Sequence, residues 1–239
     1  MRRPQGDCGA RRGYHRRVNA DLPSQCLPDP LPDDPLRIAA EWLAEARADA
    51  DQPNPNSMVL ATVDARGRPS ARVVLCKEIS APGGSLTFYT NYDSRKGREL
   101  AANPHAAVVF HWDHRHRQVR AEGSTLALSD AENDAYFRSR PWQSRLGAWA
   151  SRQSEPIESR GALLAQVAAA ARRFGPERAD VDVPRPPHWG GYRLAVDAVE
   201  LWVEGDFRVH DRARWTRVPH GRGSSGAGHA AWSATRLQP

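Results

Sequence analysis

At 239 residues with 40% hydrophobic content and mixed charge, the chain can bury a core of its own, which excludes a fibrous or wholly disordered protein and fits one globular domain with frayed ends. The formal charge of +6 invites a nucleic-acid partner, but the basic residues are scattered through apparent strands and helices, so anionic small molecules explain them as well. Cys8, Cys26 and Cys76 are odd in number and lack CxxC or metal-type spacing, and no apolar run approaches the roughly 18 residues a bilayer span needs; neither a disulfide framework, a metal site nor a membrane segment is expected, and a soluble, unsecreted protein of the reducing cytoplasm fits.

Residues 1–32, rich in Arg, Pro and Gly, have neither helical nor alternating period and read as a flexible arm ahead of a single domain over 33–239. Arg11 and Tyr14 within it could fold over a site or belong to a disordered basic tail. Asp34-Pro35 is an N-cap followed by proline at the first helical position, and Leu36, Ala39, Ala40, Leu43 and Ala46 then share one helical face. Pro53 and Pro55 stop that helix. MVLATVD and SARVVLCKEI form a hairpin around Asp64-Ala65-Arg66-Gly67.

A Pro-Gly-Gly turn leads to a third strand and then to Ser94-Arg95-Lys96, which opens a helix. Cations at a helix start oppose the dipole, so a bound anion, held by free amides, Ser94 or Asn91 and both cations, would repair the conflict; two solvated basic residues at a small penalty is the alternative. HAAVVFHW and RQVRAEGSTLALS read as two more strands of a meander. Ser129 and Glu132 make a capping box for a helix on which Tyr136 and Arg140, four apart, share a face, with Ser144 just beyond Pro141. Such a set would suit a second phosphate; a surface Tyr–Arg pair is the bland alternative.

Ser159 starts a long Ala/Leu-rich helix that closes at Phe174 with Gly175 after it. The last segment, WGGYRLAVDAVELWVEGDFRVHDRARW, reads as two strands joined near Glu204-Gly205-Asp206. Arg208, His210 and Arg212 then project from one face of the second strand and call for an anion or aromatic ring across them; a solvated edge strand is the alternative. Residues 219–229 read as a loop, and Ala230 to Pro239 as a last strand or turn through Trp232.

Several separated motifs stand in order: RVVLCK at 72–77, FYTNYDSRK at 88–96, RQV at 117–119, YFRSRPWQS at 136–144, GAWASRQS at 147–154, WGGYR at 189–193, LWVEGDFRVHDR at 201–212 and a closing RLQP. On these the chain, from about Asp34 to Pro239, resembles the pyridoxamine/pyridoxine 5′-phosphate oxidase family. The resemblance implies a mainly β protein with flanking helices, an antiparallel split β-barrel of the FMN-binding type, homodimeric through a C-terminal dimerisation and substrate region. It further implies FMN as cofactor in the dimer cleft, and oxidation of pyridoxamine or pyridoxine 5′-phosphate to pyridoxal 5′-phosphate with O2 reduced to hydrogen peroxide.

By resemblance, FMN contacts fall on the run Arg72, Val73, Val74, Leu75, Cys76 and Lys77, and on Tyr89, Thr90, Arg95 and Lys96. Gln118, Gln153, Ser154, Trp202 and Arg212 complete that set. The substrate is assigned to Lys77, Tyr136, Arg140, Ser144, Arg208 and His210, with Arg11 and Tyr14 in a segment resembling the family's lid. Arg208 and His210 carry the catalytic assignment: Arg208 lies over the substrate ring and His210 hydrogen-bonds its substituents. Arg72 and Lys77, five apart, would point to opposite faces of a regular strand, so a bulge, or ligand on both sides, must be supposed. The Pro-rich stretch 27–35 and the Gly/Ser/His-rich stretch 220–229 have no counterpart. Rival readings are another flavin enzyme of the fold, such as a phenazine-pathway oxidase or a deazaflavin-dependent reductase, or a non-catalytic flavin- or nucleic-acid-binding module.

Overall fold

The structure is a computed structural model that describes residues 26–177, 182–218 and 231–239. The Arg11–Tyr14 segment and the 220–229 stretch lie outside the described residues. Helix α1, Pro35–Ala48, starts as the Asp34-Pro35 pair predicts: Asp34 Oδ1 accepts from Leu36 N at 2.9 Å. Its buried face is Leu36, Ala39, Leu43 and Ala46, with Trp42 in the place expected of Ala40. Part of the expected arm is packed. Leu27 is buried, its N–H donates to Asp211 Oδ2 at 2.7 Å, and Pro32 O accepts from Trp215 Nε1 at 2.8 Å.

Strands β1 (Ser57–Val63), β2 (Pro69–Ser80) and β3 (Ser85–Asn91) run as a meander. Helix α2, Arg95–Ala102, follows, then β4 (His105–Trp112) and β5 (Arg117–Ala127). The expected meander breaks here, because β4 pairs with β1, not β3. Helices α3 (Asp130–Arg138), α4 (Trp142–Ala150) and α5 (Arg160–Phe174) precede β6 (Trp189–Val203), β7 (Asp211–Arg217) and β8 (Trp232–Leu237). The sheet order is β3-β2-β1-β4-β5-β6-β7-β8, and β3 also pairs with β6, closing six antiparallel strands into a barrel.

Strand β6 makes this closure possible by its length. Its first half, through Ala195, pairs with β3, and its second, from Ala198, pairs with β7, while β5 runs along both. The barrel interior is filled by Leu60, Phe88, Val108, Phe110, Val119, Leu194 and Leu201, with α1 packed against it through Leu36 and Leu43. Each such side chain contributes roughly 1.5–3 kcal/mol of burial. A second cluster, Phe137, Leu146, Ala170, Val183 and Trp189, seats α3–α5 on the barrel exterior, with Tyr89 and Tyr136 packed against it. No helix among the described residues is long and apolar enough to cross a membrane.

Candidate active site

A cavity of about 530 Å³ opens between the outer side of β2 and β3, the start of α2, and helices α3 and α4. Its position follows from local sequence. Strand β2 carries a bulge between Cys76 and Glu78, so Lys77 is the extra residue; the register is thereby shifted by one, and Arg72 and Lys77 both line the cavity. The bulge supposed from their five-residue spacing is present.

At one end the ammonium of Lys96, on the first turn of α2, donates to Gln153 Oε1 at 2.8 Å and to Ser94 Oγ at 3.3 Å. Thr90 Oγ1 donates to the same Gln153 oxygen at 3.2 Å. Lys96 is buried, and burial together with the nearby Arg72 cation pushes its pKa down to about 8 against the pull of Glu99. A buried cation held by neutral groups is what an incoming anion would relieve.

Behind this end lies Glu99, on which Arg72 Nη2 (3.1 Å), Arg95 Nε (2.8 Å), Ser70 Oγ (2.6 Å) and Thr62 Oγ1 (2.5 Å) converge. Burial alone would raise this carboxyl, but those four hydrogen bonds hold it down at about 2. Three cations, Arg72, Arg95 and Lys96, thus face a single carboxylate, and the surplus of two positive charges matches a phosphate monoester dianion. The dipole conflict at the start of α2 is eased by Glu99, one turn on from Arg95, which sequence reasoning did not single out; the i,i+4 spacing was its signal.

At the other end Tyr136, Arg140 and Ser144 line the cavity with Trp189. Helix α3 ends at Arg138, so Arg140 does not share a helical face with Tyr136 as expected; the turn after the helix places it over Trp189 at 4.5 Å. Its Nη1 is buried without a hydrogen-bond partner, and burial lowers its pKa. The rings of Tyr89 and Tyr136 stack at 3.9 Å, with Lys77 Nζ 5.7 Å from the Tyr136 centroid.

Residues 44–173 match the family model described as pyridoxamine 5′-phosphate oxidase, and residues 189–239 match the pyridoxine 5′-phosphate oxidase C-terminal dimerisation region. The pyridoxine/pyridoxamine 5′-phosphate oxidase of Paraburkholderia phymatum is 49% identical over 93% of this chain and 97% of that one. The chain belongs to the pyridoxamine 5′-phosphate oxidase family. A second relative of the same name, from Paracoccus denitrificans, is 47% identical over 87% of this chain and 96% of its own. Among solved structures, PhzG from Burkholderia lata, in complex with tetrahydrophenazine-1-carboxylic acid, superposes with a TM-score of 0.75 at 31% identity, covering 88% of this chain and 95% of that one. A pyridoxamine 5′-phosphate oxidase-related, FMN-binding protein from Nostoc punctiforme, at 20% identity and a TM-score of 0.64, covers 86% of this chain and 98% of its own and shares the split-barrel fold.

Against this family background the expected site residues fall into two groups. The cavity collects Arg72, Val73, Val74, Leu75 and Lys77, then Tyr89, Thr90, Lys96 and Gln153, and the Tyr136, Arg140, Ser144 set. Asn91, Gly147, Ala148, Ser151 and Trp189 also line it; apart from Asn91 they were legible only as members of quoted motifs. Cys76 instead faces the core, its thiol pushed up to about 12 by burial, Ser154 is off the cavity, and Arg95 sits on the outer side of α2.

The second group stands elsewhere. Gln118, Trp202 and Arg212 are direct cross-strand partners on β5, β6 and β7, forming one row on one face, and Arg212 is clamped on Glu200 at 2.8 Å. Arg208 and His210 do not extend this row along a strand. Asp206–Arg208 form a short 3-10 turn with Phe207 and Arg208 in the left-handed region, and β7 starts only at Asp211. The expected common face of Arg208, His210 and Arg212 is therefore absent, although His210 still packs on Trp202 at 4.7 Å.

Proposed function

We propose that this oxidoreductase binds FMN and oxidises pyridoxine and pyridoxamine 5′-phosphates to pyridoxal 5′-phosphate, with O2 as acceptor and hydrogen peroxide as co-product. The observation that carries the reading is the single cavity with two separate anion-seeking ends, the Lys96 end and the unpaired Arg140 Nη1. FMN, when bound, would supply the two-electron acceptor chemistry. Arg72, Lys96 and Gln153 would hold its phosphate end, and Arg95 would add charge from the outer side of α2. Arg140, Tyr136 and Ser144 would take the substrate phosphate, and Lys77 would orient the reacting end.

The row of Gln118, Trp202 and Arg212, with Arg208 and His210 beside it, does not line the cavity of its own protomer. In a homodimer built through the C-terminal region, one protomer's row would complete its partner's cavity. A second reading, a phenazine-type oxidase, is favoured by the likeness to PhzG. The B6 reading has the greater support, because relatives so named are 47–49% identical over nearly their whole length. The test is anaerobic: FMN-loaded protein should bleach on adding pyridoxine phosphate and recover its colour with O2, forming peroxide and pyridoxal phosphate in equal amounts. A flavin that stays oxidised with both B6 phosphates but bleaches with a dihydrophenazine acid would replace this reading with the second.

A further inference from the structure

We propose that the backbone amide of Gly205 sets the tautomer of His210, so that the ring meets the substrate as a hydrogen-bond donor through Nε2–H and is not the group that takes up a proton. The donor role rests on the function proposed above; the tautomer rests on geometry alone.

Between β6 and β7 the chain passes through Glu204 and Gly205, turns at Asp206–Arg208, and reaches His210. Val209 N–H closes the turn on Asp206 O at 2.9 Å. The fold is so tight that a Cβ on Gly205 would overlap the Val209 carbonyl oxygen. Phe207 (φ 53°) and Arg208 (φ 67°) both adopt the left-handed conformation that side-chain-bearing residues rarely take. Such strain persists only where the surroundings over-determine it. Two anchors do so at the entrance: Glu204 N–H donates to His116 O at 2.9 Å, and the Glu204 carboxylate meets His116 Nδ1 at 2.5 Å.

The outcome of this closure is that Gly205 N–H donates to His210 Nδ1 at 3.2 Å. A backbone amide has no acceptor role, so Nδ1 must present its lone pair, and a neutral imidazole with a bare Nδ1 carries its hydrogen on Nε2. Trp202 packs against the ring at 4.7 Å and an interplanar angle of 44°, which limits its rotation. A neutral ring in this state has no lone pair at Nε2 for the proton that an alcohol or amine sheds on oxidation. It can only donate, for example to the oxygen of a hydroxyl substituent on a pyridine ring. Gly205 is thus a positioning residue, acting through His210.

The experiment uses the FMN-loaded full chain with histidine ring nitrogens labelled with 15N. Long-range proton–nitrogen correlation spectra are recorded above about pH 8, where an ordinary imidazole is neutral. The His210 signals are identified by their loss in His210→Gln. A proton on Nε2 is expected; a proton on Nδ1, or a mixture of the two forms, overturns the assignment. A second arm needs no spectrum. The amide nitrogen of Gln reaches the place of Nε2 and that of Asn the place of Nδ1, so His210→Gln should keep at least about tenfold more kcat/KM than His210→Asn. Equal or reversed activities overturn the donor role. Wild-type holoprotein that turns over neither B6 phosphate sinks the functional reading and the donor role with it, and the tautomer is then decided by the spectrum.

Discussion

The guanidinium carbon of Arg140 stands 4.5 Å from the ring centre of Trp189 and 5.4 Å from that of Phe137, while its buried Nη1 meets no acceptor among the described residues. A cation held by aromatic faces is fixed in place but not neutralised, so its hydrogen-bonding capacity remains for an anion. Replacing Arg140 by Leu should raise KM for pyridoxine phosphate about 10- to 100-fold, the equivalent of losing one charge-assisted hydrogen bond of roughly 1.5–3 kcal/mol. The dephosphorylated vitamer should be nearly insensitive, and the protein should remain yellow. Loss of flavin from this variant would show that Arg140 serves the other end of the cavity.

Lys96 gives the FMN affinity a pH dependence of definite sign. Its pKa is down at about 8, chiefly through burial and then through Arg72. A phosphate beside it would raise that value, so the complex holds more protons than the free protein once the pH exceeds about 8. FMN affinity should be flat between about pH 7, where the phosphate is already a dianion, and about pH 8, and fall above it, by up to about tenfold per pH unit. Flavin fluorescence titrations read this directly, and Lys96→Met should flatten the profile. Arg95→Leu should weaken FMN by less than Lys96→Met, because Arg95 is largely exposed and already paired with Glu99, and added FMN should restore its activity. In FMN-free protein the sign reverses: the lowered pKa means that stability rises with pH from about 8 towards the ordinary lysine value.

The outer face of the β1–β2 hairpin carries exposed apolar side chains. Val59 and Val73 are direct cross-strand partners, Val73 is 64% exposed and Leu75 44%. Soluble proteins seldom leave such a surface bare beside a ligand cavity. Val73→Asp should shift the protein from dimer to monomer in light scattering and reduce FMN retention. A stable, flavin-bound monomer of the unmodified protein at low concentration would remove the dimer from the proposal.

Asn133 ties α3 to the strand that closes the barrel. It is buried, its Nδ2 donates to Tyr92 Oη at 3.2 Å and Leu128 O at 3.1 Å, and its Oδ1 accepts from Gly191 N at 2.8 Å. Asn133→Ala leaves a buried amide unpaired and should lower stability by about 2–3 kcal/mol. A shift of the urea midpoint with an unchanged slope would register this loss.

What the sequence determined by itself was local. The Asp34 and Ser129 caps, the Pro35 start and the Gly175 end of α5 stand as read, because capping and turn chemistry act within a few residues. The ordered motifs contain the residues that line the cavity, since a resemblance carries positions along the chain without needing their geometry, but Cys76, Ser154 and Arg95 from the same motifs stand off it. Tertiary structure decided what depends on register and closure. The β3–β6 pairing that makes a barrel of a meander joins segments far apart in sequence, and local pattern has no term for it. Lys77 reaches the side of Arg72 through one inserted residue, which a period-two count could require but not locate. Arg208 and His210 left the strand predicted for them because Gly205 lets the chain close on Val209 and forces Phe207 and Arg208 into left-handed backbone. Alternation of side chains holds only while the backbone stays extended, and there it does not.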